Sequence, residues 1–142
     1  MKTVAVSGGF DPIHVGHIRL INEAKKLGDK LIVIINNDNW LRAKKKYNFM
    51  HEQDRAEIIS NLKSVDEVIL TNHEENTKDM SVCKELKIIK PDIFANGGDR
   101  KQDNIPEYDV CERLGIEMIF NVGGEKLRSS SEIVKKANSK NN

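Results

Sequence analysis

The sequence predicts an α/β protein built on a five-stranded parallel sheet, doubly wound with helices on both faces. Three observations predict this fold. Short apolar runs rich in β-branched residues recur along the chain, stretches with helical periodicity separate them, and glycine or proline follows several of the helices. Helical crossovers between strands favour a parallel sheet, for which we expect the strand order 3-2-1-4-5. A length of 142 residues suits one domain.

The first three elements form a βαβ unit. The runs at 3–6 and 31–35 are continuously apolar, which is typical of strands that are covered on both faces. Between them, the segment 14–27 carries one apolar stripe at helical spacing, and Gly28 follows as a helix stop. The stripe consists of Ile18, Ile21, Ala24 and Leu27.

The rest of the chain continues this alternation. Apolar spacing and the stop signals Pro91 and Gly115 mark the helices, and β-branched runs mark the strands. The predicted elements are a helix near 52–62, a strand at 67–70, a helix near 78–89, a strand at 92–95, a helix at 106–114 and a strand at 116–120. Ser129 and Glu132 have the spacing of a capping box, which predicts a last helix. We expect one domain over 1–137 and a frayed polar tail over 138–142.

Composition excludes several classes of protein. Lysine and arginine number 23 against 22 aspartate and glutamate, so the net charge of +1 lacks the basic excess of nucleic-acid or membrane-surface binders. The longest apolar run is far shorter than the roughly 20 residues that span a bilayer, and the start of the chain does not resemble a signal peptide. We therefore expect a cytoplasmic protein that binds neither nucleic acid nor membrane. Cys83 and Cys111 stand apart in apolar contexts and are expected in the core.

Glycines and basic residues follow four of the predicted strands. Open parallel sheets bind ligands beyond the carboxyl ends of their strands, so these loops are expected to meet at one edge. The loops span 7–17, 40–46, 96–100 and 123–131.

The first of these loops carries the most specific pattern. Glycines allow backbone N–H groups to approach an anion, and a helix that starts just behind them directs its positive end to the same place. His14 and His17 lie three residues apart in the first turn, with Gly16 between them. This arrangement favours a phosphate site. Two other interpretations stay open: the histidines are helix caps, or they form a partial metal site with Asp11. His51 and His73 lie outside any constellation and receive no role.

The other loops are less specific. Each has a structural interpretation beside a role in ligand binding. The run Lys44–Lys46 would be a solvated loop, Gly97–Asp99 a simple turn, and Ser129–Ser131 a helix cap.

The residues Gly8-Gly9-Phe10-Asp11-Pro12-Ile13-His14-Val15-Gly16-His17 resemble the opening motif of the nucleotidyltransferase superfamily with an H-x-G-H element, in particular its cytidylyltransferase-like group. The resemblance covers about residues 1–136 and implies a Rossmann-like fold. The Asn96–Asp99 loop is similar to heptose-1-phosphate adenylyltransferases. The spacing of Lys44 and Lys46, with Arg55 on the next helix, resembles glycerol-3-phosphate cytidylyltransferase instead. Gly124 departs from the latter, which has arginine at the corresponding place.

The resemblance implies transfer of a nucleotidyl group from a nucleoside triphosphate to a phosphorylated small molecule, such as a sugar phosphate, with release of pyrophosphate. It implies catalytic roles for His14, His17, Lys44 and Arg128. It implies nucleotide-binding roles for Gly8, Gly9, Phe10, Asp11, Gly16, Lys46, Gly98, Asp99, Ser129, Ser130 and Ser131. Lys45 does not match the spacing and is expected to matter less.

We expect ATP as the co-substrate rather than CTP, Mg²⁺ as the cofactor and no metal-ligating side chains, and the resemblance suggests a homodimer. CTP with a polyol phosphate is the alternative reaction. A nucleotide-binding sensor without turnover is an alternative of another class, and a metal-dependent hydrolase using His14, His17 and Asp11 is a third.

Overall fold

The computed structural model describes residues 1–98 and 105–124, which form one five-stranded sheet and its helices. The strands pair in the order β3-β2-β1-β4-β5, and all four pairings are parallel. This confirms the predicted strand order. The elements are β1 (Thr3–Gly8), α1 (Val15–Lys25), β2 (Lys30–Ile35), α2 (Asp38–Lys45), α3 (Glu52–Ser60), β3 (Glu67–Leu70), α4 (Cys83–Ile89), β4 (Ile93–Ala95), α5 (Glu107–Leu114) and β5 (Glu117–Ile119).

Apolar side chains cover both faces of the sheet, as the continuous apolar runs predict. On one face, Ile21 of α1 and Ile59 of α3 pack over β1 and β2. On the other, Leu86 of α4 and Val110 of α5 pack over β1, β2 and β4. The predicted helices on both faces are therefore confirmed. Because all strands run in one direction, their carboxyl ends meet at a single edge.

Both cysteines belong to the second apolar cluster, as expected. Cys111 is buried within it, and Cys83 is half-buried against it. Desolvation on burial raises the pKa of the Cys111 thiol to about 11 and raises the pKa of Cys83 as well. Both thiols are therefore protonated at neutral pH and act as small apolar side chains.

Two helices differ from the prediction. The segment expected to be a basic loop is largely the helix α2, because Asn37 caps its N-terminus by accepting a hydrogen bond from the Trp40 N–H. Helix α4 begins at Cys83 rather than near 78, since Asp79 accepts hydrogen bonds from the backbone and hydroxyl of Ser81. Such local side-chain bonds compete with helix formation.

Several predictions fall outside the described residues. They are the helix that begins at Ser129 and the polar tail 138–142. The single domain over 1–137 therefore stays a prediction. Among the described helices, none is long and apolar enough to cross a membrane.

Candidate active site

A cleft of about 1050 Å³, including its open mouth, lies at the carboxyl edge of the sheet. It is bounded by residues that follow all five strands, beside the point where strand order reverses between β1 and β4. The sequence-predicted residues that line it are Gly8, Gly9, Phe10, His14, Gly16, His17, Lys44 and Gly98. The four loops expected to converge thus contribute to one cleft wherever the structure describes them.

The two histidines of the H-x-G-H element cap the N-terminus of α1. The His14 Nδ1 atom accepts a hydrogen bond from the Gly16 N–H at 3.1 Å. The His17 Nδ1 atom accepts one from the His14 N–H at 3.2 Å. Their rings stack with centroids 3.8 Å apart, inclined by 25°. The interpretation of these residues as helix caps is therefore correct, and it is compatible with a role in the cleft because both rings also line it.

These hydrogen bonds define which ring nitrogen carries the proton. A backbone N–H can only donate, so Nδ1 of His14 and Nδ1 of His17 are both acceptors. In the neutral imidazole the proton then resides on Nε2, which makes Nε2 a hydrogen-bond donor. Donors at the positive end of a helix suit phosphate oxygens. A protonated Nε2 cannot ligate a metal, which disfavours the metal-dependent hydrolase.

Metal ligation by Asp11 with the two histidines receives no support from the described residues. Among them, no group of three histidine, cysteine, aspartate or glutamate side chains is placed to hold a metal ion.

The loop before α1 holds the His17 ring from one side. Phe10 is buried, adopts a left-handed backbone with φ of 54°, and places its ring edge-on to His17 at a centroid distance of 4.9 Å. A Cβ atom at Gly9 would lie 2.9 Å from Leu41 Cδ2, so a larger residue there would require the Leu41 side chain to shift. Loop and histidines are therefore packed as one unit.

Two glycine loops meet on the other side of the cleft. A Cβ atom at Gly98, which follows β4, would lie only 2.6 Å from the carbonyl oxygen of Gly124, which follows β5. Only glycine permits this approach, so the Gly97–Gly98 segment is more than a simple turn. Backbone groups of both loops line the cleft.

Lys44 is the basic residue of α2 that lines the cleft. Its ammonium group lies 4.8 Å from the centroid of the Trp40 ring, a cation–π geometry that holds the charge beside the cleft.

Lys46 and Asp11, both expected to bind the nucleotide, are not among the described residues that line the cleft. Lys46 ends α2 in a left-handed conformation and is not among the residues that line the cleft. The buried Asp11 carboxylate accepts hydrogen bonds from the backbone N–H groups of Phe49 and Met50. Lys45, expected to matter less, donates to the Asp11 carbonyl and carboxylate at 2.9 and 3.3 Å. These contacts connect Asp11 to the loop after α2, and its role in nucleotide binding stays a prediction.

Arg55 connects three segments around the cleft. Its side chain is fully buried and forms an ion pair with Asp38 at 2.7 Å. It also donates to the carbonyls of Gly9 at 2.7 Å, Asn36 at 2.6 Å and Met50 at 3.1 Å. The resemblance singled out Arg55 but assigned it no role. In the structure, its side chain holds these three segments together.

Some site residues were missed by sequence reasoning, and others lie outside the described residues. Asn36 follows β2 directly, so the rule that placed the other loops could have found it. Nothing in the sequence marks Met80, Val82 or Glu107, which also line the cleft. Asp99, Arg128, Ser129, Ser130 and Ser131 lie outside the described part of the chain.

The chain belongs to the cytidylyltransferase-like family, whose model matches residues 5–136. It is therefore a nucleotidyltransferase. It is 37% identical to an FAD synthase of Methanobrevibacter smithii over 96% of this chain and 90% of that protein. It is 35% identical to the bifunctional protein HldE of Citrifermentans bemidjiense, over 95% of this chain and 27% of that protein.

A solved structure supports the same assignment. The lipopolysaccharide core biosynthesis protein from Thermoplasma volcanium superimposes with a TM-score of 0.69 and 38% identity. The match covers 84% of this chain and 93% of that chain.

Proposed function

We propose that this protein transfers the adenylyl group of ATP to the phosphate of FMN, which forms FAD and releases pyrophosphate. The observation that carries the proposal is the pair of stacked histidines at the N-terminus of α1, both with Nε2 as donor. The similarity to FAD synthases over nearly the whole chain supports FMN as the acceptor. FMN is a phosphate monoester and thus belongs to the acceptor class expected from the sequence.

The chemistry requires little proton transfer. A phosphate oxygen of FMN attacks the α-phosphorus of ATP, and the bond from that phosphorus to the β-bridging oxygen breaks, so the electron pair leaves with pyrophosphate. Because the second pKa of a phosphate monoester is about 6, the acceptor is largely dianionic at neutral pH and needs no general base. Positioning and charge stabilisation therefore supply the catalysis.

The described residues fit this demand. His14 and His17 donate Nε2–H groups to the α- and β-phosphates, where the bridging oxygen gains charge. Lys44 adds a cation, and Gly9 and Phe10 offer backbone contacts to the nucleotide. The resemblance assigns the remaining contacts to Arg128 and Ser129–Ser131 for the triphosphate and to Gly98 and Asp99 for the base or ribose.

Mg²⁺ would be bound mainly by the triphosphate. The histidines of the described part of the cleft offer donors to phosphate oxygens. When bound, Mg²⁺ would neutralise part of the triphosphate charge.

A pyrophosphate-release screen tests the reaction. ATP, CTP, GTP and UTP would each be combined with FMN, a heptose 1-phosphate and glycerol 3-phosphate, with Mg²⁺ present. We expect release with ATP and FMN, and FAD identified by chromatography and mass. Turnover only with CTP and glycerol 3-phosphate would establish the cytidylyltransferase alternative. Tight ATP binding without release for any acceptor would establish the sensor.

Two substitutions at one position separate capping from catalysis. In His17→Asn the amide oxygen takes the place of Nδ1 and preserves the cap, but the Nε2–H donor is lost. In His17→Gln the amide N–H lies near the place of Nε2 and preserves a donor. We expect His17→Asn to retain stability and lose turnover, and His17→Gln to retain more turnover. The reverse order would contradict a catalytic Nε2–H.

Adenylyl transfer to a sugar phosphate is the second candidate, because the similarity to HldE extends over 95% of this chain. The same screen decides between the two acceptors. We further propose a cytoplasmic homodimer that acts without nucleic acid. Light scattering at micromolar concentration would give a dimer mass, and a monomer mass would contradict the proposal.

A further inference from the structure

Arg19 is a cation of the cleft that has no part in the chemistry described above. It lies on α1, three residues after Gly16 and directly before Leu20, and all three residues line the cleft. Residues three and four positions apart share one face of a helix, so these three form a continuous strip along α1. Helix α1 therefore contributes a positive side chain to the cleft in addition to its N-terminus.

The loop that follows β5 holds this face of α1 in place. A Cβ atom at Gly123 would lie 3.0 Å from the backbone nitrogen and the Cα atom of Leu20, and 3.3 Å from the carbonyl carbon of Arg19. Gly123 also has φ of 85°, a conformation that favours glycine. Because the backbones of loop and helix are in close contact, the base of the Arg19 side chain is fixed beside the cleft.

The Arg19 guanidinium can take a ligand without breaking a contact within the described part of the chain. Its side chain is exposed, and it forms no hydrogen bond or ion pair with any residue that the structure describes. Lys45 and Arg55, by contrast, are engaged in ion pairs. The described lining of the cleft contains two permanently charged cations, Arg19 on α1 and Lys44 on α2.

Arg19 is within reach of the N-terminus of α1, which favours phosphate. Side chains on a helix tilt toward its N-terminus, so a long side chain at position 19 extends over the turn that contains Gly16. Gly16 has no side chain to block this path. The rise between the two residues is about 4.5 Å, a distance that an extended arginine side chain spans. The guanidinium can therefore meet an anion bound at the start of the helix.

We propose that Arg19 binds the β- and γ-phosphates of the nucleoside triphosphate. Lys44 approaches from α2, which follows β2, whereas Arg19 lies beside the loops that follow β4 and β5. The planar guanidinium presents parallel N–H groups that match a pair of phosphate oxygens. Its charge adds to that of Mg²⁺, which neutralises the triphosphate only in part. This inference rests on the triphosphate site of the proposed function but is independent of the acceptor.

A contact to the distal phosphates affects binding more than the chemical step. Charge develops on the oxygen between the α- and β-phosphorus during transfer, while the γ-phosphate keeps a similar charge throughout. Arg19 therefore stabilises the bound triphosphate and the transition state to a similar extent. Its loss should raise the KM for ATP with little change in kcat. Loss of the His17 donor should instead lower kcat, because that donor faces the developing charge.

The substitution Arg19→Met tests the inference, since methionine approximates the length of arginine but removes the charge and the donors. Calorimetric titration with α,β-methylene-ATP and Mg²⁺ measures nucleotide binding without turnover or acceptor. We expect Arg19→Met to weaken this binding, and inhibition by pyrophosphate, by about tenfold each. Binding of AMP, which lacks the distal phosphates, should be unchanged. Arg42→Met is the matched control, because Arg42 is exposed but does not line the cleft, and it should alter none of these affinities.

The outcomes separate this inference from the proposed function. Equal effects of Arg19→Met and Arg42→Met on analogue binding, or unchanged inhibition by pyrophosphate, overturn the inference. An equal loss of AMP binding would place Arg19 at the base or ribose and also overturns it. If FAD is formed and Arg19→Met leaves the KM for ATP unchanged, the reaction stands and the inference is wrong. If Arg19→Met weakens analogue and pyrophosphate binding but the protein forms no FAD, the inference stands and the proposed reaction is wrong.

Discussion

Replacement of Arg55 by methionine should destabilise the protein severely, because this buried side chain contacts four groups. The Arg55 guanidinium pairs with Asp38 and donates to three backbone carbonyls, and the Arg55 side chain itself has no exposed surface. Methionine approximates its length but removes the charge and every donor. Asp38 then keeps a carboxylate at 8% side-chain exposure without its cation.

The expected loss follows from these contacts. Breaking a buried ion pair by removing one partner costs about 3–5 kcal/mol, since the other charge stays buried. Domains of this size have a free energy of unfolding of only about 5–15 kcal/mol. The melting temperature should therefore fall by about 6–20 °C, at about 2–4 °C per kcal/mol.

Urea denaturation at 25 °C, followed by circular dichroism, measures the effect. Arg42→Met is the matched control, because Arg42 is exposed and its side chain hydrogen-bonds to Asn39 at 3.1 Å; its change should stay within about 0.5 kcal/mol. Asp38→Asn added to Arg55→Met should cost less than the sum of the single changes, because the unpaired charge is removed. A loss for Arg55→Met no larger than that for Arg42→Met would refute the reasoning.

Four further outcomes are expected. His17→Ala should lower kcat by about 10²–10³-fold in steady-state assays, and a near-normal kcat would contradict the assignment. Lys44→Ala should raise the KM for ATP more than Lys46→Ala, because of these two lysines Lys44 lines the cleft. Equal increases in KM would contradict the idea that position on α2 determines which lysine binds ATP. Cys111 should resist thiol reagents at pH 8 until the protein unfolds, since burial raises its pKa to about 11, and rapid native labelling would contradict this. The pKa of Asp66 is lowered from 3.8, chiefly by its hydrogen bond with Lys25, so the Asp66 carboxylate stabilises the fold above pH 3.8 and this stabilisation is lost as the pH falls below that value. Asp66→Asn should therefore make the free energy of unfolding, measured by urea titration, fall less between neutral and acid pH. The same fall in the variant and in the unmodified protein would contradict this prediction.

The strand order could be predicted from the sequence because burial on both faces leaves a clear pattern. Runs such as Leu31–Ile35 have no polar residue to accommodate, and their helical crossovers permit few topologies. The segment 40–46 was predicted as a loop, although most of it is helical, because its composition is typical of a surface loop. Its helix depends on the cap at Asn37 and on contacts such as that between Trp40 and the Met80 carbonyl, which join residues distant in sequence.

The direction of each basic side chain could not be predicted from spacing alone. Lys44 and Lys45 are adjacent on α2, so they project about 100° apart, one to the cleft and the other to Asp11. Lys46 leaves the helix with φ of 73° and projects elsewhere. Lys44 and Lys46 would point in similar directions in an extended loop, but they point in different directions at the end of a helix.

The two histidines could be singled out from the sequence because one local motif caps the helix and sets the ring tautomer in the same two side chains. Capping the first turn of α1 uses Nδ1 of His14 and of His17, and this requirement follows from three-residue spacing at a helix N-terminus. The cap leaves Nε2 of each ring as the protonated nitrogen, so the same contacts that stabilise the helix also set the tautomer that a phosphate requires. Arg55 lacks such a local signature: its partners lie 5 to 46 residues away, and only the folded chain brings them together.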